Sequence, residues 1–285
     1  MNLSIVIPAR NEAASLLNFL PALRAAQPGA EIIVVDDGST DATAEIVRAN
    51  GMELVQHSYA RGNGAAIKAG VRHASGEVIV CMDADGQHRP EEIDALLARL
   101  AEGYDMVVGA RNRAGQASMH RSFANGVYNR FASWMVGHRI EDLTSGFRAF
   151  KAEQFREFLS LLPNGFSYPT TSTMCFFRAG YGVSYVPINV LPRIGKSHIQ
   201  LTRDGIRFLL IIFKIGTLFS PIKLFAPIAL MFLLAGLGLY GYTFAIEHRF
   251  TNMSALLMSN AVLIFLIGLV AEQITALMHV QLQKK

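Results

Sequence analysis

Two long charge-free stretches constrain this chain more than anything else in it. Leu224–Ile246 contains no Asp, Glu, Lys or Arg, and neither does Phe250–Ala271. At 1.5 Å per residue, each is long enough to cross about 30 Å of hydrocarbon as a helix. Buried helices of soluble proteins seldom run past about 18 apolar residues without a charge, which disfavours a pair of core helices. Only Glu247, His248 and Arg249 separate the stretches, so they form a hairpin with both ends on one side. Charge then gives direction. Arg203, Arg207, Lys214 and Lys223 precede the hairpin and Lys284 and Lys285 follow it, whereas the connection carries only Arg249. Lys and Arg are retained on the cytoplasmic side. The expectation is a two-helix membrane protein of a bacterial inner membrane, with the N-terminal part and the C-terminus in the cytoplasm. Glu272 falls at the cytoplasmic end of the second stretch and reads as an interface residue whose carboxylate reaches toward water.

The segment before the hairpin is mixed. Between Ile199 and Lys223, apolar residues alternate with Arg203, Arg207, Lys214 and Lys223. The pattern predicts interfacial amphipathic helices over 198–223, with basic side chains among lipid phosphates. Three parts follow: an N-terminal domain over 1–197, the interfacial helices, and a hairpin over 224–285 with a cytoplasmic tail. The net charge of +4 divides along the same line. Residues 1–197 hold 19 basic and 19 acidic side chains, and 198–285 hold 7 and 3. The excess therefore fits lipid headgroups. Nucleic acid is disfavoured as a partner, because the basic residues are not interleaved with an aromatic platform. Cys81 and Cys175 are too few for a disulfide framework, and Cys81 sits in an apolar run as a buried thiol.

Residues 1–197 alternate short apolar runs with helical patterns. Strands are expected at Leu3–Ile7, Glu31–Val35, Glu53–Gln56, Glu77–Met82 and Met106–Gly109. Helices are expected at Ala13–Ala26, Ala42–Ala49, Gly64–His73 and Pro90–Ala101. Leu3–Ile7 has no basic region before it and reads as a buried strand rather than a leader. Such alternation predicts an α/β, Rossmann-like domain with a mostly parallel sheet, whose ligands bind beyond the carboxyl ends of the strands. Polar clusters follow four of the five strands: Pro8–Glu12, Asp36–Asp41, Asp83–His88 and Arg111–Arg113.

Asp83-Ala84-Asp85 carries the most chemistry. Two carboxylates leaving a strand two residues apart suit one hard divalent cation, with Gln87 a further oxygen ligand. Mg²⁺ or Mn²⁺ bound this way keeps waters and takes substrate phosphate oxygens. The competing reading is a turn and helix start through Asp85-Gly86 and Pro90-Glu91-Glu92. Downstream, 109–151 holds seven Lys and Arg against Glu141 and Asp142. Arginine forks there suit phosphate oxygens, although Arg130 and Arg139 read as solvated. Gly62-Asn63-Gly64 reads as a tight turn beside a nucleotide, with Lys68 a minor contact. His57, His73, His88, His120 and His138 lack metal-ligand spacing and read as surface or packing residues.

These motifs, with Asp142-Leu143-Thr144-Ser145-Gly146-Phe147-Arg148 and Gly195-Lys196-Ser197, resemble family 2 glycosyltransferases of the GT-A fold. More narrowly, the chain is similar to polyprenyl-phosphate (dolichyl-phosphate-type) glycosyltransferases with C-terminal membrane helices. The resemblance implies an inverting transfer of sugar from a UDP- or GDP-linked donor to polyprenyl phosphate, with Mg²⁺ or Mn²⁺. It implies that Pro8, Arg10, Glu12 and Asp37 line the base and ribose pocket. It gives Asp83 to donor and metal, and Asp85 and Gln87 to the metal. Arg111, Arg121, Arg193 and Lys196 would bind donor diphosphate or acceptor phosphate. Asp142, Ser145, Gly146 and Arg148 would form the wall nearest the acceptor, with Asp142 an orienter or base. Ala9-Arg10 stands where many relatives have an aromatic and an Asn. Alternatives are transfer to another lipid hydroxyl and a non-catalytic glycolipid-binding relative. The only tryptophan, Trp134, lies outside a Gln-x-x-Arg-Trp motif, unlike a processive synthase. The charge-free hairpin could also mediate homo-oligomers.

Overall fold

A computed structural model describes residues 2–111, 119–165, 167–190, 213 and 216–283, with side chains throughout except at 119–125 and 278–283. The chain divides into two compact units, Met1–Gln200 and Leu201–Lys285. Arg113, Arg193, Lys196, Arg203, Arg207 and Lys214 lie outside the described residues, as does most of the segment expected to be interfacial.

The first unit is built on a seven-stranded sheet. Its strands are β1 (Leu3–Ala9), β2 (Glu31–Asp36), β3 (Glu53–Gln56), β4 (Val78–Cys81), β5 (Met106–Arg111), β6 (Arg148–Lys151) and β7 (Val183–Ile188). The helices are α1 (Ala13–Ala26), α2 (Thr43–Ala49), α3 (Asn63–His73), α4 (Ile93–Ala101), α5 (Met119–Val136), α6 (Ala152–Glu157) and α7 (Tyr168–Arg178). Ile5, Val6 and Ile7 of β1 and Ile32 to Val35 of β2 are buried, as expected for β-branched runs covered on both faces. Leu16, Phe19, Leu20 and Leu23 of α1 and Ile93, Leu96 and Leu100 of α4 join the same core at helical spacing.

The strand order is β3-β2-β1-β4-β6-β5-β7. The chain winds outward from β1 through β2 to β3, then returns to the other side of β1 with β4. That reversal is a switch point, where the loops leaving β1 and β4 diverge and open a crevice. All pairings are parallel except those of β6, which runs antiparallel to both β4 and β5. The loop entering β6 therefore arrives at the edge where β4 and β5 end.

The second unit is a pair of long helices, α8 (Pro221–Glu247) and α9 (Asn252–Gln283). Both exceed the charge-free stretches, and Lys223, expected before the hairpin, sits in the first turn of α8. Pro221 is well placed there, since its missing N–H would have no helical partner. His248 ends α8 in the left-handed region at φ 50°. The two helices approach closely at Gly268, where a Cβ would lie 2.7 Å from Cβ of Phe225. Most of their apolar surface is exposed, including Met231, Leu234, Ile246, Val262 and Val270. Helices of a soluble core would bury those side chains. Glu272 does more than reach for water: its carboxylate accepts the backbone N–H of Ile222 at 3.3 Å, in the first turn of α8. That satisfies a helix-end donor and places negative charge at the favourable pole of the helix dipole.

Candidate active site

The edge where β1, β4 and β5 end carries the expected polar clusters. Asp83 lies two residues past the end of β4, with its side chain 37% exposed. The chain then turns at Gly86 (φ 70°), and the Gln87 N–H donates to Oδ1 of Asp85 at 3.1 Å. The turn reading and the ligand reading of this segment are thus compatible.

The opposite wall follows from strand register. Cys81 pairs with Arg148 in the antiparallel β4–β6 ladder. Two residues further on, Asp83 comes opposite Gly146. A Cβ on Gly146 would lie 2.7 Å from Oδ2 of Asp83 and 3.0 Å from Oδ1, so any side chain there pushes the carboxylate out of this position. Tyr168, buried at the start of α7, donates its hydroxyl to the Gly146 carbonyl at 2.8 Å and fixes that backbone. Gly146→Ala is expected to displace the Asp83 carboxylate and lower turnover by about 100-fold, as small misplacements of reacting groups do. A steady-state assay beside a melting curve checks this; wild-type turnover would refute the contact.

Asp142 and Arg111 form the next part of the wall. Nε of Arg111 donates to Oδ2 of Asp142 at 2.7 Å and NH2 donates to Oδ1 at 2.9 Å. The guanidinium also meets the Thr144 hydroxyl. The N–H groups of Thr144 and Ser145 donate to Oδ1 as well, at 3.0 and 3.1 Å. Burial works to raise the Asp142 pKa, but the Arg111 hydrogen bonds and charge, with the backbone donors, hold it below the usual carboxylate range. So restrained a carboxylate is a poor base and a good orienter of Arg111. Arg111 keeps 31% of its side chain exposed and can still face a ligand.

Several expected contacts are placed differently. Arg148, expected on the wall facing the acceptor, is 0% exposed. Its guanidinium donates to the carbonyls of Leu143, Ser145 and Pro169 and to the hydroxyls of Ser172 and Thr173. It is an internal brace between the 142–147 loop and α7, with no face left for a ligand. Ser145 and Gly146 are also buried, so they back the wall rather than present polar atoms on it. Lys68 donates to the Leu162 carbonyl and to Asn164, tying α3 to the 162–164 loop instead of facing a nucleotide.

The nucleotide end changes similarly. Pro8 and Glu12 are half-buried and Arg10 is exposed, at the rim beyond β1. Asp37, by contrast, is 4% exposed. Its Oδ1 meets Nδ1 of His57 at 2.7 Å, and it accepts the N–H groups of Arg61 and Gly62. Burial raises its pKa, yet these hydrogen bonds and the His57 contact bring it below the ordinary value. Its role is to hold the 57–62 loop over the turn after β2. Asp36 likewise anchors the Ser39 N–H, and Asn11 the Thr40 N–H, both at 2.8 Å. Tyr168 escaped the sequence reading, and His57 and Asn11 entered it without these roles, because their significance depends on partners distant in sequence. Cys81 and Cys175 are fully buried, and burial pushes both thiols far up. The Arg121 side chain, Arg193 and Lys196 lie outside the described residues.

Among the described residues, no three His, Cys, Asp or Glu side chains cluster as a metal-ligand set. What the edge offers is two carboxylates and an amide on one turn, beside a wall that Gly146 keeps free of side chain. That donor set suits a hard cation drawing its other ligands from water and phosphate, not a closed structural metal.

Residues 4–159 match the Glycosyl transferase family 2 model, and 220–277 match the GtrB C-terminal hairpin. Glycosyltransferase AglJ of Haloferax volcanii is 28% identical, covering 98% of this chain and 96% of its own. An undecaprenyl-phosphate mannosyltransferase of Micrococcus luteus is 29% identical over 72% of this chain and 95% of its own. An undecaprenyl-phosphate 4-deoxy-4-formamido-L-arabinose transferase of Pseudomonas aeruginosa is 30% identical over 85% and 71%. Among solved structures, glucosyl-3-phosphoglycerate synthase from Mycobacterium tuberculosis, in complex with Mn²⁺, UDP and glucosyl-3-phosphoglycerate, has a TM-score of 0.57. It is 23% identical, covers 74% of this chain and 79% of its own, and shares the GT-A-like fold. On its sheet, its polar edge and these matches, the chain belongs to glycosyl transferase family 2 and ends in a hairpin of the GtrB type.

Proposed function

We propose that this chain is a membrane-bound inverting glycosyltransferase that moves a sugar from a UDP- or GDP-linked donor to polyprenyl phosphate. The observation that carries the reading is the Asp83–Gly146–Asp142 edge, in a chain whose other unit is a bare apolar hairpin. The names of the Micrococcus luteus and Pseudomonas aeruginosa relatives support undecaprenyl phosphate or a similar lipid as acceptor.

In this reading a phosphate oxygen of the acceptor attacks the anomeric carbon, the bond to the donor diphosphate breaks, and nucleoside diphosphate leaves with inversion. Pro8, Arg10 and Glu12 border the nucleotide, while Arg111 faces the phosphates. The second pKa of a phosphate monoester is about 6, so the nucleophile is already ionised at neutral pH. No strong base is needed, which suits an Asp142 committed to Arg111. Asp83, Asp85 and Gln87 would hold Mg²⁺ or Mn²⁺, which when bound stabilises charge on the leaving diphosphate. A lipid hydroxyl acceptor would need a true base, and the depressed Asp142 pKa weighs against it. The presence of Asp83, Asp85 and Gln87 together weighs against a non-catalytic role. Arg121, Arg193 and Lys196 remain assigned to phosphate, and 198–223 to the interface of a bacterial inner membrane. The catalytic unit is placed on the cytoplasmic side.

The test uses purified full-length chain in lipid nanodiscs with polyprenyl phosphate and a panel of UDP- and GDP-sugars. One donor is expected to give a polyprenyl-phosphate sugar with Mg²⁺ or Mn²⁺, and EDTA to abolish it. Failure with every donor, or turnover indifferent to EDTA, overturns the reading.

A further inference from the structure

The imidazole of His88 is buried, 6% exposed, yet polar on both edges. Its ring stacks on Phe147, with centroids 5.0 Å apart and planes 20° from parallel. Nε2 lies 3.6 Å from Oδ2 of Asp83. Nδ1 has no hydrogen-bond partner among the described residues. A buried polar ring left half unsatisfied costs stability, so a purely packing role would be better served by a hydrocarbon. The placement instead completes an enclosure. The carboxylate of Asp83 occupies the space that a side chain at Gly146 would take, and His88 stands within ion-pair distance of it. Phe147 and Tyr168 hold His88 and Gly146 in turn.

We propose that His88 is a positioning residue, holding the Asp83 carboxylate in the one orientation that faces the donor phosphates and their cation. Proton transfer is not part of this role. A group that orients a metal-facing carboxylate controls affinity for the metal and its effect on the leaving group, more than it controls acceptor binding. The inference rests on the reading of Asp83 given under the proposed function.

The test compares the full chain with His88→Phe, which keeps the stack on Phe147, and His88→Gln, whose amide nitrogen reaches about as far as Nε2. Mn²⁺ binding is followed by electron paramagnetic resonance, alone and with UDP or GDP. His88→Phe is expected to weaken Mn²⁺ binding by about 10-fold or more, the effect seen when a partner behind a metal ligand is removed. Its kcat falls with KM for polyprenyl phosphate unchanged, and its melting temperature stays at the wild-type value. His88→Gln restores most of both. Wild-type Mn²⁺ affinity and kcat in His88→Phe would overturn the proposal, as would equal losses in both variants. A wild-type chain that binds Mn²⁺ but transfers no sugar overturns the functional reading alone, and the affinities still decide the role of His88. A wild-type chain that binds no Mn²⁺ overturns both.

Discussion

Asp83→Asn is expected to lower kcat by about 10²–10³-fold while leaving the fold intact. The two halves of that expectation come from different observations. Asp83 sits beyond the end of β4 with over a third of its side chain in solvent, and it lies outside the apolar core, so an isosteric change there leaves the core packing in place. Substitution by Asn keeps the volume that Gly146 accommodates. What it removes is the negative charge at the point where the loops from β4 and β6 face each other. Turnover measured beside thermal unfolding separates the effects. A variant that keeps more than a tenth of wild-type turnover would move the reaction centre elsewhere on the sheet edge.

Arg148→Met is expected to behave in the opposite way. Truncating the guanidinium leaves the carbonyls of Leu143 and Ser145 and the hydroxyls of Ser172 and Thr173 without their donor inside the protein. A buried group stripped of its partner costs about 1–3 kcal/mol, so a loss of about 3 kcal/mol or more is expected here. For a unit of this size that is a fall in melting temperature of about 6–12 °C. Activity falls with it, because the loop that Arg148 braces contains Asp142 and Gly146. Were Arg148 a phosphate ligand, the same substitution would raise KM for the acceptor at unchanged melting temperature. Differential scanning fluorimetry with initial-rate kinetics distinguishes the two. Arg148→Lys is also expected to destabilise, since one ammonium cannot reach five acceptors spread over two elements.

The contrast between these residues shows what could be read in advance. Strands β1 to β5 are short apolar runs ending in polar clusters, and each fell within a few residues of its expected place. Their helices carry apolar residues at helical spacing, and α1 begins and ends where the pattern says. The hairpin was legible for the same reason, since length without charge needs no tertiary information. Beyond residue 111 the signals weaken. β6 is only Arg148-Ala149-Phe150-Lys151, and an arginine at its head reads as a ligand-facing residue rather than as the start of a buried strand. α7 contains Pro169, Thr170, Thr171, Ser172 and Thr173, residues of modest helix propensity, and earns its helical form from burial against Arg148. His88 and Asp37 show the same limit at the site. A histidine after a turn reads as a surface or packing residue, and an acidic residue after a strand as pocket lining, until the loops that cover them are placed.

The insertion of β6 between β4 and β5 also orders the events of folding. Val78 to Cys81 pair with Lys151 to Arg148, at sequence separations of 67 to 73 residues. Closing so long a loop is entropically slow compared with forming the adjacent β1–β2 unit. Until it closes, β4 presents a bare edge of unpaired backbone groups, which is a template for aggregation. The same event that covers this edge brings Gly146 opposite Asp83. A nascent chain therefore acquires the Gly146 wall of its candidate site and its protection from edge-to-edge association in one step, and a chain interrupted before residue 148 acquires neither.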